Sequence, residues 1–413
     1  MKHIYTSIDI GSDTIKIVVC ELYQNRLNLL AASSVKAKGI KKGLITDVYL
    51  ASEALKEGLE EIETMIGIKI KKALVTVPSY SALFTMVEGS KEIPSGVVTS
   101  SDVKEVLNEA LRSKSIKDKE MVTLVPIDFT LDTMKGIRDP KGKRGRNLSV
   151  KAIEVLSPKK VIYSVISLLD SIGLEIVDIS IGGIGDMQTF KTKEIANEIG
   201  AIVNIGYEVT NVSIYNKGII VKNSIIPLGG KNIDNDISYI FKLLNKDSVR
   251  VKERFAVAHR DFASTNDFYE VKDKNGEVKK FSQLEISEVV MSRIEELLMV
   301  VKKEINSLTK RQVDYIILTG GTSSLSNFQD VAEDIFGTIA KCDSIKILGV
   351  RNNKYSSAVG NIVYFINKLH LKGIDYTMFD EDEEEMLSAS KKGLLDLPND
   401  SMLGKVFGYF FDE

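Results

Sequence analysis

The feature that most constrains the fold is a glycine bend near the start of the chain, in residues 8–14, which read I-D-I-G-S-D-T. Apolar residues alternate with polar ones on both sides, a period of two that predicts strand, turn and strand. Gly11 permits a tight bend and a close approach to the backbone. The exposed amides that follow suit anionic oxygens, and the carboxylate of Asp9 suits Mg²⁺ beside a phosphate. Taken alone, an ordinary hairpin explains the stretch equally well.

The same pattern recurs in the middle of the chain, where residues 203–210 read V-N-I-G-Y-E-V-T. When Gly206 is aligned with Gly11, Asn204 falls on Asp9. Each bend is followed by a strand, a turn and another apolar strand. An internal repeat with this spacing predicts two related domains that face each other, each with a phosphate-binding hairpin.

Residues 316–323 read I-I-L-T-G-G-T-S, a buried strand that runs into Gly320 and Gly321. Paired glycines let a flat base or sugar lie against the backbone. Together with the two hairpins, in this order, the segment resembles the actin-like ATPase superfamily of actin, sugar kinases, heat-shock chaperones and bacterial filament proteins. Within it the chain is similar to the FtsA family, whose members tether the tubulin-like FtsZ ring to the bacterial membrane.

The resemblance implies an α/β protein with an actin-like (ribonuclease H-like) duplicated ATPase fold: two facing domains, an FtsA-type inserted subdomain and a C-terminal amphipathic helix. The composition agrees, because 413 residues exceed a single core, and 44% hydrophobic with 27% charged residues is typical of soluble globular proteins. A net charge of −2 gives no drive toward nucleic acid. Two distant cysteines indicate a reducing cytosol, and neither a signal segment nor a bilayer-spanning run is expected.

Residues 139–148 follow the pattern D-P-x-G-x-x-G-x-x-L, which resembles the insertion found in FtsA and in its pilus relative PilM. Around it we expect a hairpin at 84–94 and strands at 121–130 and 148–156. The loop 136–147 is rich in lysine and arginine, which suits an anion or an acidic partner, or simply a solvated loop. The resemblance implies that the insertion contacts neighbouring molecules or other division proteins.

Apolar periodicity and the resemblance together predict the helices of the chain. They are expected at 48–66, 102–112, 157–173, 182–194, 234–244, 248–258, 284–308, 325–336 and 358–369. The expected divisions are 1–78 (first domain, opening segment), 79–163 (inserted subdomain), 164–195 (first domain, closing segment, with a connecting helix), 196–225 (second domain, opening segment), 226–281 (small lobe), 282–350 (second domain, closing segment), 351–372 (returning connecting helix), 373–400 (acidic linker) and 401–413 (membrane-targeting helix).

The resemblance implies that ATP and Mg²⁺ lie between the domains, with Asp9 as the metal ligand, and that the C-terminal peptide of FtsZ binds the small lobe, 226–281. Lys252 falls on a family lysine beside the adenosine, although by itself it reads as a surface lysine. Two family carboxylates are replaced, by Asn204 and by Val249, which lowers the expected affinity. The expected nucleotide-binding residues are Asp9, Gly11, Ser12, Asp13, Thr14, Asn204, Gly206, Tyr207, Glu208, Thr210, Gly230, Lys252, Gly320, Gly321 and Thr322.

The character of the chain changes after residue 373. Residues 375–397 are polar, and 380–385 read D-E-D-E-E-E, so this segment predicts a flexible, extended linker. Residues 401–411 read S-M-L-G-K-V-F-G-Y-F-F, an amphipathic helix whose apolar face suits a membrane interface, or alternatively the parent fold or another protein. The residues expected on the membrane face are Met402, Leu403, Val406, Phe407, Phe410 and Phe411.

These features predict an ATP-binding, self-associating protein that tethers the FtsZ ring to the cytoplasmic membrane at the division septum. A PilM-like scaffold of a pilus machine is the alternative, and a small-molecule kinase of the same fold is a further one. A kinase needs a general base near the γ-phosphate, and the pattern offers none. ATP hydrolysis is expected to be slow at most, with Glu208 as the candidate residue for water activation.

Overall fold

A computed structural model describes residues 3–111, 116–384 and 386–387. The helices are α1 (Val48–Ile66), α2 (Ser100–Ala110), α3 (Lys159–Asp170), α4 (Gly182–Phe190), α5 (Gly230–Ile240), α6 (Asn245–Arg254), α7 (Gln283–Leu308), α8 (Phe328–Phe336) and α9 (Ser356–Lys372). The strands are β1 (His3–Ile10), β2 (Thr14–Tyr23), β3 (Arg26–Lys36), β4 (Ile40–Lys41), β5 (Leu44–Ile45), β6 (Lys72–Val77), β7 (Leu83–Glu92), β8 (Lys119–Leu131), β9 (Met134–Ile137), β10 (Asn147–Pro158), β11 (Glu175–Ile181), β12 (Ile199–Ile205), β13 (Thr210–Asn216), β14 (Ile219–Ile226), β15 (Phe268–Lys272), β16 (Val278–Ser282), β17 (Tyr315–Thr319) and β18 (Ala340–Lys341).

Two five-stranded sheets have the same topology. The first has the order β3-β2-β1-β6-β11, with β1 antiparallel to β2 and parallel to β6. The second has the order β14-β13-β12-β17-β18, with β12 antiparallel to β13 and parallel to β17. The glycine bends therefore join equivalent strands, and the predicted duplication is confirmed.

Helix α1 packs on the first sheet with the bounds that the sequence predicts. Asp47 begins it by accepting a hydrogen bond from the backbone N–H of Leu50 at 3.0 Å. Gly67 ends it in a left-handed conformation, with φ of 74°. Leu55 and Ile62 belong to its buried face, which recurs at helical spacing.

Helices α4 and α9 cross between the two sheets. A side chain at Gly360 would overlap the carbonyl of Gly185, so only glycine allows the two helices to approach so closely. Helix α4 is shorter than the expected 182–194. It ends at Phe190 because Lys191 is extended, with ψ of 118°, and turns the chain toward β12.

The inserted subdomain is a sheet of order β7-β10-β8-β9 with α2 packed against it. The hairpin expected at 84–94 is wrong. That segment is one continuous strand, β7, whose antiparallel partner is the distant β10, and local sequence does not reveal such a pairing. The buried face of helix α3 belongs to the core of the first domain, which places the end of the insertion nearer Pro158 than the expected residue 163.

The small lobe contains α5, α6 and the hairpin β15–β16, with its turn at the expected 274–276. Phe241 of the lobe packs against Phe281, with ring centroids 4.6 Å apart. Helix α5 begins at Gly230, earlier than the expected residue 234. The reason is a cap, because the backbone N–H of Gly229 donates to the side-chain oxygen of Asn232 at 3.0 Å.

The chain after α9 continues as a segment that we call the C-terminal strap, residues 374–384. The backbone N–H of Met378 donates to the carbonyl of Ile4 at 3.3 Å, and the hydroxyl of Tyr5 donates to the carbonyl of Tyr376 at 2.8 Å. Phe379 is buried. The strap is thus held against β1, the central strand of the first sheet.

An acidic side chain of the strap is also paired, because Lys71 Nζ lies 2.6 Å from Glu383. The expectation of a flexible linker over 373–400 is therefore wrong for its first residues, since the apolar ones among them find a site on the first domain. The predicted helix 401–413, with its membrane-facing residues, lies outside the described residues. Within the described ranges, no helix has both the length and the apolar character needed to span a bilayer.

Candidate functional site

A cavity of about 720 Å³ lies between the two domains, where the glycine bends face each other. Both hairpins, the small lobe and the loop after β17 contribute to its walls. The expected residues that line it are Asp9, Gly11, Ser12, Asp13, Thr14, Asn204, Gly206, Tyr207, Lys252, Gly320, Gly321 and Thr322. The structure thus brings together segments that are far apart in sequence.

The two bends have the same backbone geometry. In the first, the N–H of Gly11 donates to the carbonyl of Thr14 at 3.1 Å, and in the second, the N–H of Gly206 donates to the carbonyl of Val209 at 3.0 Å. A Cβ atom at Gly11 would lie 2.8 Å from the carbonyl oxygen of Thr14, and a Cβ atom at Gly206 would lie 2.9 Å from that of Val209. Both positions therefore require glycine because of this close approach.

In the first hairpin, Asp9 is held on both sides. Its Oδ2 lies 2.9 Å from Lys16 Nζ, and its Oδ1 accepts a hydrogen bond from the hydroxyl of Thr76 at 2.8 Å. Asp9 and Lys16 are direct partners in the register of β1 and β2. The ion pair is largely shielded, since the two side chains are 19% and 14% exposed.

In the second hairpin, Asn204 contacts an acidic group instead. Its Nδ2 donates to Asp186 Oδ2 at 3.0 Å and to the hydroxyl of Ser357 at 3.2 Å. Asp186 lies on α4 and also accepts from the hydroxyls of Ser356 (2.6 Å) and Ser357 (2.9 Å). Burial raises the pKa of Asp186 to about 6, although these hydrogen bonds oppose the shift.

The two hairpins touch each other at their tips. The backbone N–H of Glu208 donates to the hydroxyl of Ser12 at 3.3 Å, and the carboxylate of Glu208 accepts from the backbone N–H of Lys42 and from Lys231 Nζ, each at 2.6 Å. Burial alone would raise the pKa of Glu208, but these donors lower it below its ordinary value. The residue expected to activate water is therefore engaged in holding the domains together.

Lys252 is not a surface lysine, because its side chain is only 7% exposed. Its Nζ lies 2.9 Å from Asp234 Oδ1 and 5.5 Å from the ring centroid of Tyr207. Burial raises the pKa of Asp234, and the adjacent lysine opposes the shift. On the same helix, Val249 and Glu253 line the cavity, so a carboxylate stands one turn from the position where the family carries one.

The loop after β17 closes the cavity beside the second hairpin. Gly320 has a left-handed φ of 96°, and a Cβ atom there would lie 2.6 Å from Asn204 Oδ1. The hydroxyl of Thr322 donates to the carbonyl of Gly206 at 2.9 Å. The paired glycines thus expose backbone to the cavity, as the sequence leads us to expect.

Three expected residues do not line the cavity. Thr210 is fully buried and donates to the carbonyl of Leu228 at 2.8 Å. Gly230 lies behind the wall, with its carbonyl 3.4 Å from Lys252 Nζ. Glu208 is turned to the domain contact described above.

Several residues that line or support the cavity escape recognition from sequence. Lys16 could be found from the hairpin register, which sets it opposite Asp9. Lys354 precedes α9 and has no local signature; burial, followed by the nearby Lys16, lowers its pKa. Asp186 reads as an ordinary helical residue, and only the tertiary structure sets it behind Asn204. The cavity is also lined by three residues that have no recognisable sequence signature: Lys36, Lys42 and Glu253.

The charges of the lining favour an anionic ligand. Five lysines face three carboxylates in the cavity wall, and two of these carboxylates, Asp9 and Asp13, are already paired with Lys16 and Lys36. Within the described ranges, no group of three or more His, Cys, Asp or Glu side chains can hold a metal ion. A single carboxylate beside phosphates does suit Mg²⁺, which keeps several waters and takes few protein ligands. Asp9 is the lining carboxylate that the sequence predicts for this role, and in the structure its two oxygens contact Lys16 and Thr76.

The comparisons with known proteins agree with this architecture. The family model for cell division protein FtsA matches residues 201–360, and the model for the SHS2 domain inserted in FtsA matches residues 84–156. The chain belongs to the FtsA family. Cell division protein FtsA of Bacillus subtilis is 26% identical over 396 residues, covering 94% of this chain and 90% of the relative. That of Streptococcus pneumoniae is also 26% identical, covering 86% and 78%.

Solved structures confirm the actin-like fold. The type IV pilus biogenesis complex PilM–PilN aligns with a TM-score of 0.60 and 14% identity, covering 87% of this chain and 98% of that one. MreB5 of Spiroplasma citri, solved with ADP bound, aligns with a TM-score of 0.53 and 15% identity, covering 89% and 98%. The predicted actin-like fold is confirmed by these matches, and the inserted subdomain by the family model. The C-terminal helix of that prediction lies outside the described residues.

Proposed function

We propose that this member of the FtsA family binds ATP with Mg²⁺ between its two domains, self-associates, and tethers the FtsZ ring to the cytoplasmic membrane at the septum. The observation that carries nucleotide binding is the pair of glycine bends facing one lysine-lined cavity. Their amides and the lysines would hold the phosphates, Asp9 would hold the hydrated metal, and Gly320 and Gly321 would lie against the adenosine. The metal would neutralise phosphate charge.

Equilibrium binding of a fluorescent ATP analogue, with and without Mg²⁺, tests this proposal. We expect saturable binding that Mg²⁺ strengthens. Lys16→Met should weaken it about tenfold, because a cation facing the phosphates is lost. Lys56→Met is the matched control, since Lys56 pairs with Glu53 on the exposed face of α1. Absence of binding by the unchanged chain, or equal loss in both variants, contradicts the proposal.

Hydrolysis should be slow, because both oxygens of Glu208 already accept hydrogen bonds from Lys42 and Lys231. A turnover above about 1 s⁻¹, the low end for ordinary enzymes, would contradict this expectation.

Membrane tethering rests on the apolar face predicted for residues 401–411. Each large side chain contributes about 1.5–3 kcal/mol when buried, and ordering the helix offsets much of this, so a single anchor is weak. Self-association would multiply weak anchors into firm attachment. Phe407→Glu should abolish co-sedimentation with liposomes, and Phe407→Leu should preserve it. Unchanged sedimentation of Phe407→Glu would exclude the helix as the anchor.

FtsZ binding is assigned to the small lobe, which exposes Phe268 and Val278 on the hairpin β15–β16. A peptide with the C-terminal sequence of FtsZ should bind this chain, and Val278→Asp should weaken that binding. The PilM-like alternative is favoured only by the shared fold, and it predicts no FtsZ binding. The small-molecule kinase predicts ADP release that depends on an added sugar. Peptide binding and a coupled ADP-release assay together distinguish all three functions.

A further inference from the structure

The second hairpin carries an amide where the first carries a carboxylate, and the structure shows what accompanies the change. Asn204 is equivalent to Asp9, and it donates both hydrogens of its Nδ2, one to Asp186 and one to Ser357. Asp186 is 1% exposed and comes from α4, not from the hairpin. The negative charge is therefore displaced onto the crossing helix, directly behind the amide.

The acidic partner also decides which end of the amide faces the cavity. An ionised carboxylate only accepts hydrogen bonds, so the NH₂ group of Asn204 must face Asp186. Its oxygen then lies on the side of Gly320, whose backbone lines the cavity. A flipped amide would set an oxygen against a buried carboxylate, which is strongly unfavourable.

We propose that Asp186 is a positioning residue of the cleft: it fixes the Asn204 amide with its oxygen toward the bound ligand, and it supplies from the crossing helix the carboxylate that the second hairpin lacks. This inference rests on the proposed nucleotide binding. The cavity receives an acceptor that takes a hydrogen bond from a water or a hydroxyl of the ligand, while the charge behind it stays buried.

The two positions form a compensated pair. A carboxylate at position 204 would stand about 3 Å from Asp186, and two carboxylates so close cannot both ionise without a large penalty. Exchanging the two side chains keeps one amide and one carboxylate in contact and reverses the direction of the hydrogen bond between positions 186 and 204. The bond from position 204 to the hydroxyl of Ser357 is lost, because a carboxylate cannot donate. An amide at position 186 can accept from the hydroxyls of Ser356 and Ser357 on its oxygen and donate to a carboxylate at position 204. The exchange is therefore chemically matched, whereas either single change is not.

The test compares the unchanged chain with Asp186→Asn, Asn204→Asp and the double variant that carries both changes. Asp178→Asn is the control, because Asp178 pairs with Lys368 at 2.7 Å away from the cavity. Each protein is measured for its thermal unfolding midpoint without nucleotide and for its affinity for a fluorescent ATP analogue with Mg²⁺. The two measurements separate the pairing of the side chains from its effect on the ligand.

We expect Asp186→Asn to weaken analogue binding about tenfold or more, as is typical when a group that orients a ligand-facing residue is lost. Asn204→Asp should lower the unfolding midpoint by several degrees. The double variant should lie nearer the unchanged chain than either single variant in both measurements, and the control should match the unchanged chain in affinity. If Asp186→Asn does not fold, the double variant decides, because it keeps one carboxylate.

Two results would overturn the inference: an Asp186→Asn protein that folds and binds as the unchanged chain does, or a double variant whose losses equal the sum of both single ones. If the unchanged chain binds no analogue, the proposed function falls as well, which distinguishes that failure from the other two.

Discussion

The two glycine hairpins have nearly the same backbone but opposite electrostatic partners. Their amide-to-carbonyl distances are 3.1 Å and 3.0 Å. Asp9 of the first faces the cation of Lys16, whereas Asn204 of the second faces the anion of Asp186. The shape of the bend comes from the duplicated fold, whereas the charge beside it depends on the residue that contacts it, Lys16 in one case and Asp186 in the other. A repeat in sequence therefore predicts where a ligand can approach, and it does not predict how each half will hold it.

The largest expected effect concerns Lys252, the buried cation on the side of the second hairpin. Lys252→Met leaves Asp234 buried without a charge partner, which should lower the free energy of unfolding by about 3–5 kcal/mol. Urea unfolding measures it, with the exposed Lys56→Met as the matched control. A loss below about 1 kcal/mol would show that water screens the ion pair of Lys252 and Asp234. The pair would then add little to the stability of the fold around the second hairpin.

The next effect concerns pH and the carboxyl behind Asn204. The pKa of Asp186 is raised from 3.8 unfolded to about 6 folded, so the folded state binds this proton more tightly. Its stabilising contribution is present near pH 4 and is lost as pH rises through about 6. Relative to Asp186→Asn, the unchanged chain should therefore lose about 2–3 kcal/mol of unfolding free energy between pH 4 and 7. If the difference in unfolding free energy between the unchanged chain and Asp186→Asn stays constant with pH, the pKa of Asp186 is not raised by folding.

A smaller effect should follow when the first hairpin is made to resemble the second. Asp9→Asn removes the partner of Lys16 and the carboxylate proposed for the metal, without a second acid behind it. The gain in analogue binding that Mg²⁺ provides should fall about tenfold, or about 1.4 kcal/mol. Asp47→Asn is a suitable control, since asparagine caps a helix as well as aspartate. An unchanged response to Mg²⁺ would remove Asp9 from the metal site.

The smallest effect is expected at the contact between the hairpin tips. Glu208→Gln weakens the bond to Lys231, which is 45% exposed, so the free energy of unfolding should change by at most about 1 kcal/mol. Any ATP turnover should remain within a few-fold of the unchanged chain. A loss of about 10² or more, as typical for removal of a general base, would assign Glu208 to the chemistry instead.

The sequence predicts a helix or strand correctly where the residues that fix its ends lie next to it in the chain. Helix α1 has the expected bounds because its cap, Asp47, and its stop, Gly67, adjoin it. The strand β7 is not recognised from sequence because its partner, β10, is distant in the chain. The strap resembles a linker in sequence because its acidic run suggests solvation, whereas Phe379 is buried against the first domain.

The residues of the cavity likewise fall into those that local sequence predicts and those that depend on distant contacts. The glycines of both bends and most of their polar residues can be predicted, because the repeated pattern marks them directly. Glu208 and Thr210 are the exceptions, since each is bonded to other parts of the protein. Lys252 cannot be recognised as buried, since its partner Asp234 lies on another helix. Asp186 and Lys354 escape recognition for the same reason. Lys354 lines the cavity and Asp186 contacts Asn204 from behind, and the local sequence around each gives no sign of a ligand.

The strap has a mechanical consequence. It is bonded to Ile4 and Tyr5 at one end of β1, and the opposite end of that same strand carries Asp9 and the first glycine bend. A load applied to the chain beyond residue 387 would enter the body through these bonds and run along the central strand of the first sheet to the floor of the cleft. Tension on the tail and occupancy of the cleft would then act on a single strand from its two ends.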